Sequence, residues 1–415
     1  MVDDERRNEV EDELRRQAKK SFDTGMTAFR RGDYLEALSA LDDALELCQD
    51  ISDSECGQAD CLHSSGIVLG EMGDLREALG CYEQALVLYR EVPGNECGQA
   101  DCLYNIGVAL GGLGDSRGAL KCYERALILF QGVPDSGRAQ AECLFNRGAM
   151  LNELGDWRGA LGCFERSLTL FQGVPGSERE QADCLYGSGV SLSELGDCWG
   201  ALGYFDRALV LLDKGVVEAD WAEAERTGAR CLQGIGDCLV ELNEAVFPDH
   251  FARALEVFQR PEHVDHTKAD QASCLRSIGN GRSATGDLNG AVEAYQQAQD
   301  LYRQVGQPER ATEINVPLAR ALKRKAAAID SIFERLALLE ESLNLTIEAA
   351  LSLDRARFRL ERLDDRQRWF QAHARSTMDL ALEVAAELGR PHLISDLIAT
   401  WRTIGTLDVP RTGPS

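Results

Sequence analysis

Apolar residues recur along this chain at helical spacing, in a pattern that itself repeats every 41 residues. Leu103, Ile106, Leu110 and Leu113 fall on one stripe, and after a Gly-Asp pair Leu120, Tyr123, Leu127 and Phe130 fall on another. Spacings of three and four put such side chains on one face, so the unit predicts two amphipathic helices flanking a tight turn. Gly66, Gly107, Gly148 and Gly189 each stand seven residues before such a pair: Gly73-Asp74, Gly114-Asp115, Gly155-Asp156 and Gly196-Asp197. Each pair precedes an alanine (Ala78, Ala119, Ala160, Ala201), an aromatic (Tyr82, Tyr123, Phe164, Phe205) and a second small residue (Ala85, Ala126, Ser167, Ala208). The turn glycine ends the first helix, and an aspartate such as Asp115 caps the second by accepting backbone N–H bonds. Gly107, Ala119 and Ala126 let the paired helices approach closely. One hairpin cannot bury its apolar stripe, so the copies must stack on each other.

The pattern extends in both directions. A first copy carries Gly25, Gly32-Asp33-Tyr34, Ala37 and Ala44, and a last one Gly279, Gly286-Asp287, Ala291, Tyr295 and Ala298. A sixth copy keeps Gly236 and Ala254, with a longer loop through Pro248 expected in place of the turn. After Tyr302 the period is lost, although residues 316–352 and 365–403 still read as helices. The expected organisation is a charged extension over 1–15, an array of about seven repeats over 16–310 with the sixth degenerate, a helical capping region over 311–405 and a flexible tail over 406–415.

These residues identify the chain as similar to tetratricopeptide repeat proteins from about Arg16 to Arg303, with a long period resembling kinesin light chain-type arrays and an adaptor family that binds spindle-orientation proteins. The resemblance implies an all-α, right-handed superhelical solenoid, closed here by a C-terminal helical bundle. The stretch from Ala350 to Phe358, with Arg368-Trp369 and the stretch from Leu380 to Arg390, resembles the connector of actinobacterial proteins that fuse such repeats to a caspase-like CHAT peptidase. The peptidase pair is missing from that region, since no cysteine follows Cys274 and the last 105 residues hold only His373 and His392.

Composition narrows the setting. The first five residues, Met1 to Glu5, carry charge where a signal peptide carries an apolar core, and no stretch reaches the ~20 apolar residues of a membrane span, so a cytoplasmic protein is expected. Of fourteen cysteines, Cys61, Cys102, Cys143, Cys184, Cys231 and Cys274 all precede a signature glycine by five residues, and Cys81, Cys122 and Cys163 repeat in the second helices. They read as small apolar packing residues in a reducing compartment. The formal charge of −25 lies wholly in residues 1–310, because residues 311–415 hold 15 basic and 15 acidic side chains. An array this acidic repels phosphate backbones, which disfavours nucleic acid and favours cationic partners; solubility of a long exposed array is the other reading of the same charge.

In the resembled family the first helix of each repeat lines a concave groove, through positions six and three before the signature glycine and one after it. Carried onto this chain, the first column is Asp60, Asp101, Glu142 and Asp183, the second His63, Tyr104, Phe145 and Tyr186, and the third Ile67, Val108, Ala149 and Val190. Asn105 and Asn146, two before their glycines, match asparagines that hold a peptide backbone in long-period relatives, whereas Ser64, Gly187 and Gly234 stand there in other copies. An acidic ladder beside an aromatic ladder suits a peptide with basic and apolar residues. Two other readings stay open: aromatics at this spacing also serve as core, and acids placed in the first turn of each helix would favour the positive end of its dipole.

Other chemistry is sparse. Gly107 to Gly114 follow no strand and form no dinucleotide fingerprint, and Glu262, His263 and His266 lack a fourth metal ligand in sequence. No cofactor and no catalytic residue is expected. The chain reads as a non-enzymatic scaffold or adaptor for a peptide or partner protein, with no membrane partner; self-association is also open. The alternative is a sensor or companion of a hydrolytic, CHAT peptidase-like effector whose catalytic domain lies on another chain or is missing here.

Overall fold

In the computed structural model the chain divides into two compact units, Met1–Glu218 and Ala219–Ser415. The structure describes residues 2–215, 221–244, 247–260, 264–357 and 375–396, and all regular structure among them is α-helical. The first unit is a series of five helix pairs: α1 (Val2–Arg30) with α2 (Tyr34–Gln49), α3 (Glu55–Glu71) with α4 (Leu75–Glu91), α5 (Glu96–Gly112) with α6 (Ser116–Phe130), α7 (Gly137–Glu153) with α8 (Trp157–Phe171), and α9 (Glu178–Glu194) with α10 (Cys198–Gly215). Each pair packs on the next, as a solenoid requires. The stretch expected as a charged extension is helical from Val2 and continues directly into the first repeat.

The signature glycine is where each pair closes. A Cβ on Gly66, Gly107 or Gly189 would stand 2.6, 2.6 or 2.5 Å from a ring carbon of Tyr82, Tyr123 or Phe205, so only glycine admits the buried ring. In the first pair Leu41 replaces the ring, with its Cγ 2.9 Å from the same point on Gly25. At the turn Gly114 takes φ of 84°, which L side chains rarely adopt. Its N–H donates to Gly111 O at 2.9 Å and Asp115 N–H to Leu110 O at 2.8 Å, closing the helix C-terminus.

Asp115, Asp156 and Asp197 then cap the second helices, accepting from the N–H of Gly118, Gly159 and Gly200 at 2.9, 3.0 and 2.9 Å. Asp33 and Asp74 form no such bond. The third helical residue explains the difference. A capping carboxylate oxygen lies 2.3–2.4 Å from where a Cβ would stand on Gly118, Gly159 or Gly200, so the cap requires glycine there. The two uncapped helices carry Glu36 and Glu77 at that position, adding a like charge to the steric conflict.

The second unit holds two further pairs, α11 (Trp221–Glu241) with α12 (Phe247–Phe258) and α13 (Val264–Thr285) with α14 (Leu288–Gln304), followed by α15 (Pro308–Glu313), α16 (Asn315–Ala327), α17 (Ile332–Arg357) and α18 (Arg375–Glu387). The sixth copy differs from its sequence reading. Asn243-Glu244 stands seven residues after Gly236, as each Gly-Asp pair does, and Asn243 takes φ of 59°. Asn243 N–H donates to Val240 O at 3.0 Å and Glu244 N–H to Leu239 O at 2.8 Å, the same bonds as at Gly114 and Asp115. Asparagine tolerates the left-handed conformation, so the turn survives the loss of glycine. Pro248 stands in the first turn of α12 instead of in a loop, where the missing proline N–H costs no helical bond.

Ile314, Leu318 and Leu322 pack with Tyr295 and Tyr302 of the last repeat, and Leu339, Leu343, Leu380 and Val384 join α16, α17 and α18 in a separate core. The helix expected over 316–352 is two helices, because Ser331 Oγ accepts from Glu334 N–H at 3.5 Å and starts α17 anew. Of the second expected helix, 365–403, α18 is the part within the described residues together with 391–396. Arg368-Trp369 of the CHAT-connector resemblance, as well as Glu262 and His263, lie outside the described residues, and so does the side chain of His266. No helix among the described residues is long and apolar enough to cross a membrane.

All fourteen cysteines are free thiols. The six-membered column is at most 2% exposed throughout, as packing residues should be. Burial pushes the thiols of Cys102, Cys143, Cys184 and Cys274 up to about 12. Cys56 and Cys97, at the starts of α3 and α5, are exposed.

Candidate functional site

The first helices of the first unit carry the two columns, and the 41-residue repeat aligns each member with its neighbour one helix pair away. All four acids, Asp60, Asp101, Glu142 and Asp183, are the sixth residues of their helices. They therefore stand in the second turn, beyond the first turn where the dipole acts, and the capping reading of these acids fails. First-turn acids are Glu55, Glu96, Glu178 and Glu180 instead.

The aromatic column does two jobs. His63, Tyr104, Phe145 and Tyr186 each lie against the closing ring of their own repeat, Tyr82, Tyr123, Phe164 and Phe205, with centroids 5.5–6.0 Å apart. All four are half-buried, so each backs the core with one face and presents the rest of its surface. Asn146 Nδ2 donates to Tyr104 Oη at 2.9 Å, and Asn105 Nδ2 pairs with His63 Nε2 at 2.8 Å. The asparagines thus spend an amide N–H on the aromatic of the preceding repeat and lock adjacent first helices together. Because Asn105 donates, His63 Nε2 accepts and the ring is neutral. Burial holds its pKa below the ordinary value, against the pull of Asp101 and Asp60. Tyr104 accepts from Asn146, which leaves its own O–H to donate; burial and then the Glu142 charge push its pKa up to about 12.

Five of the ten expected residues converge. Tyr104, Glu142, Phe145, Asn146 and Asp183 line one cavity of about 280 Å³ across α5, α7 and α9. Asp60 lies apart, in a cavity beside α1, and accepts from Tyr89 Oη at 2.5 Å. His63, Asp101 and Asn105 stand between the two cavities along the columns, and Tyr186 lies beyond the second. Burial raises the pKa of Asp101 and of Glu142, opposed by His63 and by Arg138 respectively.

The sequence reading missed three residues here. Arg138 and Arg179, each ten before a signature glycine, and Glu180 also line the cavity. Arg138 pairs with Glu180 at 2.9 Å and Glu142 at 3.5 Å, and Arg179 with Asp183 at 2.9 Å. Two of the four ladder acids are therefore already matched by arginine, and Asp60 and Asp101 are not. Arg179 Nε and Glu180 Oε2 are buried with no hydrogen-bond partner. The 41-residue spacing of Arg138 and Arg179 was a visible signal; the column had no role in the resembled groove and passed unread.

A second unread column holds the pairs in register. Gln99, Gln140, Gln181 and Gln271 donate to a carbonyl in the last turn of the preceding helix, at Tyr89, Phe130, Phe171 and Phe258, over 2.7–3.4 Å. Ser136 and Ser177 Oγ add bonds of 2.6 Å to two of the same oxygens.

A family model for the tetratricopeptide repeat matches residues 23–91, 59–131 and 138–214. Residues 23–131 and 138–214 are thus tetratricopeptide repeats, and the helix pairing of the first unit is that of a tetratricopeptide solenoid. No curated protein sequence matches the chain. Among solved structures, the apo form of the quorum sensor NprR from B. thuringiensis is 14% identical with a TM-score of 0.61, over 94% of this chain and 98% of that one. The apo form of RapI is 16% identical with a TM-score of 0.57, over 70% of this chain and 99% of its own. A Rap protein in complex with Competence and Sporulation Factor is 15% identical with a TM-score of 0.55, over 90% and 99%. At these identities the likeness is one of fold.

Proposed function

We propose that this chain is a non-enzymatic, cytoplasmic interaction scaffold that holds a peptide segment of a partner protein along the first helices of repeats two to five. The track runs from Asp60 and His63 through Asp101, Tyr104 and Asn105 to Glu142, Phe145, Asn146, Asp183 and Tyr186. The observation that carries this reading is the cavity across α5, α7 and α9, into which the repeat period brings Tyr104, Glu142, Phe145, Asn146 and Asp183. In this cavity Tyr104 and Phe145 offer apolar anchorage beside the Asn146 amide and the carboxylates of Glu142 and Asp183. The preferred peptide carries a basic residue for Asp101 and apolar residues for the aromatic column. A Rap protein of similar fold was solved complexed with Competence and Sporulation Factor, which supports capture of a partner as a use of this architecture.

The test is selection of binders from a random peptide library on the full chain, followed by titration against two folded double variants. Asp101→Asn with Glu142→Gln should weaken binding and flatten its salt dependence, and Tyr104→Ala with Phe145→Ala should weaken it more. Unchanged binding to both variants moves the site off this track.

A further inference from the structure

We propose that the cavity between the first and second repeats binds a small zwitterion with an apolar side chain, the chemistry of a free α-amino acid or of a short peptide with both termini free. The cavity measures about 310 Å³, at the lower end of the ~300–1,000 Å³ of small-molecule sites. Arg15 and Lys19 of α1 line one part of it, and Asp53 and Asp60, at and beyond the turn into α3, line another. No ion pair joins these cations to these acids within 4.0 Å among the described residues. The cavity across α5, α7 and α9 is different, because there every wall arginine already holds an acid. Four charges that share one cavity without pairing leave room for a ligand that carries both signs.

The geometry orients the ligand groups. Arg15 Nη2 donates to Ser52 O at 3.3 Å, which fixes the guanidinium beside the cavity and leaves further N–H groups for a carboxylate. Asp60 takes one bond from Tyr89 on Oδ1, which leaves Oδ2 to accept from an ammonium. Between them Phe22 and Ile51 form an apolar floor, continued by the thiols of Cys48 and Cys61. Burial pushes the Cys61 thiol up to about 12, so it stays neutral and adds no charge to the floor. A leucine- or phenylalanine-sized side chain suits this floor. A singly charged ligand would leave one pair of charges unmatched, whereas a zwitterion matches both. Asp60 is shared with the peptide track, but Lys19 and Phe22 are not, so the two readings can fail separately.

The experiment is calorimetric titration of the full chain with L-leucine, L-phenylalanine, L-leucyl-L-leucine and N-acetyl-L-leucine amide. One zwitterion per chain should bind, the doubly capped amide should bind at least about tenfold more weakly, and Lys19→Ala and Asp60→Asn should each weaken binding about tenfold at unchanged melting temperature. Leucine without the dipeptide identifies a free amino acid as the ligand, and the reverse identifies a short peptide. Absence of heat from all three zwitterions at millimolar concentration overturns the proposal. So does equal binding of the capped amide, or binding indifferent to both substitutions. Lys19→Ala should leave library-selected peptides bound, which separates this site from the track across α5, α7 and α9.

Discussion

Two glycine-to-alanine changes in the fifth repeat should act in opposite directions. Gly189 faces Phe205, and an added Cβ would stand 2.5, 2.8 and 2.9 Å from three of its ring carbons, against an ordinary contact of about 3.5–4.0 Å. Phe205 is 1% exposed, between Ala201 and Ala208 at 0%, so the ring has nowhere to move. Overpacking of this kind costs about 1–3 kcal/mol. Gly203 lies in the partner helix, exposed and with nothing within 4 Å of its would-be Cβ. Alanine in place of helical glycine stabilises by about 1 kcal/mol at either site, so this contribution cancels in the comparison. Gly203→Ala should therefore slow local opening, and Gly189→Ala should fall below it in opening free energy by about 1–3 kcal/mol, exchanging roughly 5- to 150-fold faster. Hydrogen exchange of amides in α9 and α10 is the suitable assay, because a chain of two compact units has no single unfolding free energy. If Gly189→Ala protects these amides as well as Gly203→Ala does, close approach at the signature glycine is not what fixes the pair.

Asp156→Ala should lose about 1 kcal/mol with the cap at Gly159, while Asp74→Ala, which caps nothing, should lose much less; equal thermal shifts in the two variants would contradict the capping account. In the native protein Cys56 and Cys97 should alkylate first, with all fourteen thiols titrating after denaturation and no melting change on adding reductant. Disulfide or stoichiometric zinc in purified protein would refute the packing role. Burial holds His63 below its ordinary value of 6.5, so the unfolded chain takes the proton first, and stability present at neutral pH is lost as pH falls through 6.5 toward the folded value. Urea unfolding followed from pH 8 to 5 should show a shallower loss in His63→Gln, and an unchanged slope would remove His63 from that pH response.

Much of the fold could be read from spacing because the elements are set by local, repeated requirements. Gly107, Gly114 and Asp115 each mark a steric or hydrogen-bonding need that recurs with the period. The sixth turn was misread because Asn243 meets the left-handed requirement without being glycine, and the break before α17 was missed because Ser331 and Glu334 stand in an otherwise continuous apolar pattern. The candidate site was half legible. Tyr104, Glu142, Phe145, Asn146 and Asp183 do line one cavity, because the repeat period carries equivalent residues to equivalent places. Arg138 and Arg179 were not anticipated: their pairing with acids one helix turn or one repeat away depends on side-chain reach between helices. The asparagine amides, bonded to His63 and Tyr104, likewise showed their partners only once adjacent repeats were placed together.

Site-specific photocrosslinking with a library-selected peptide tests the central claim most directly. A photoreactive residue replaces Phe145, on the first-helix track, or Ile128, 65% exposed on the second helix α6. The scaffold account predicts a peptide adduct from position 145 and none from 128. An adduct formed from 128 and not from 145 would contradict it.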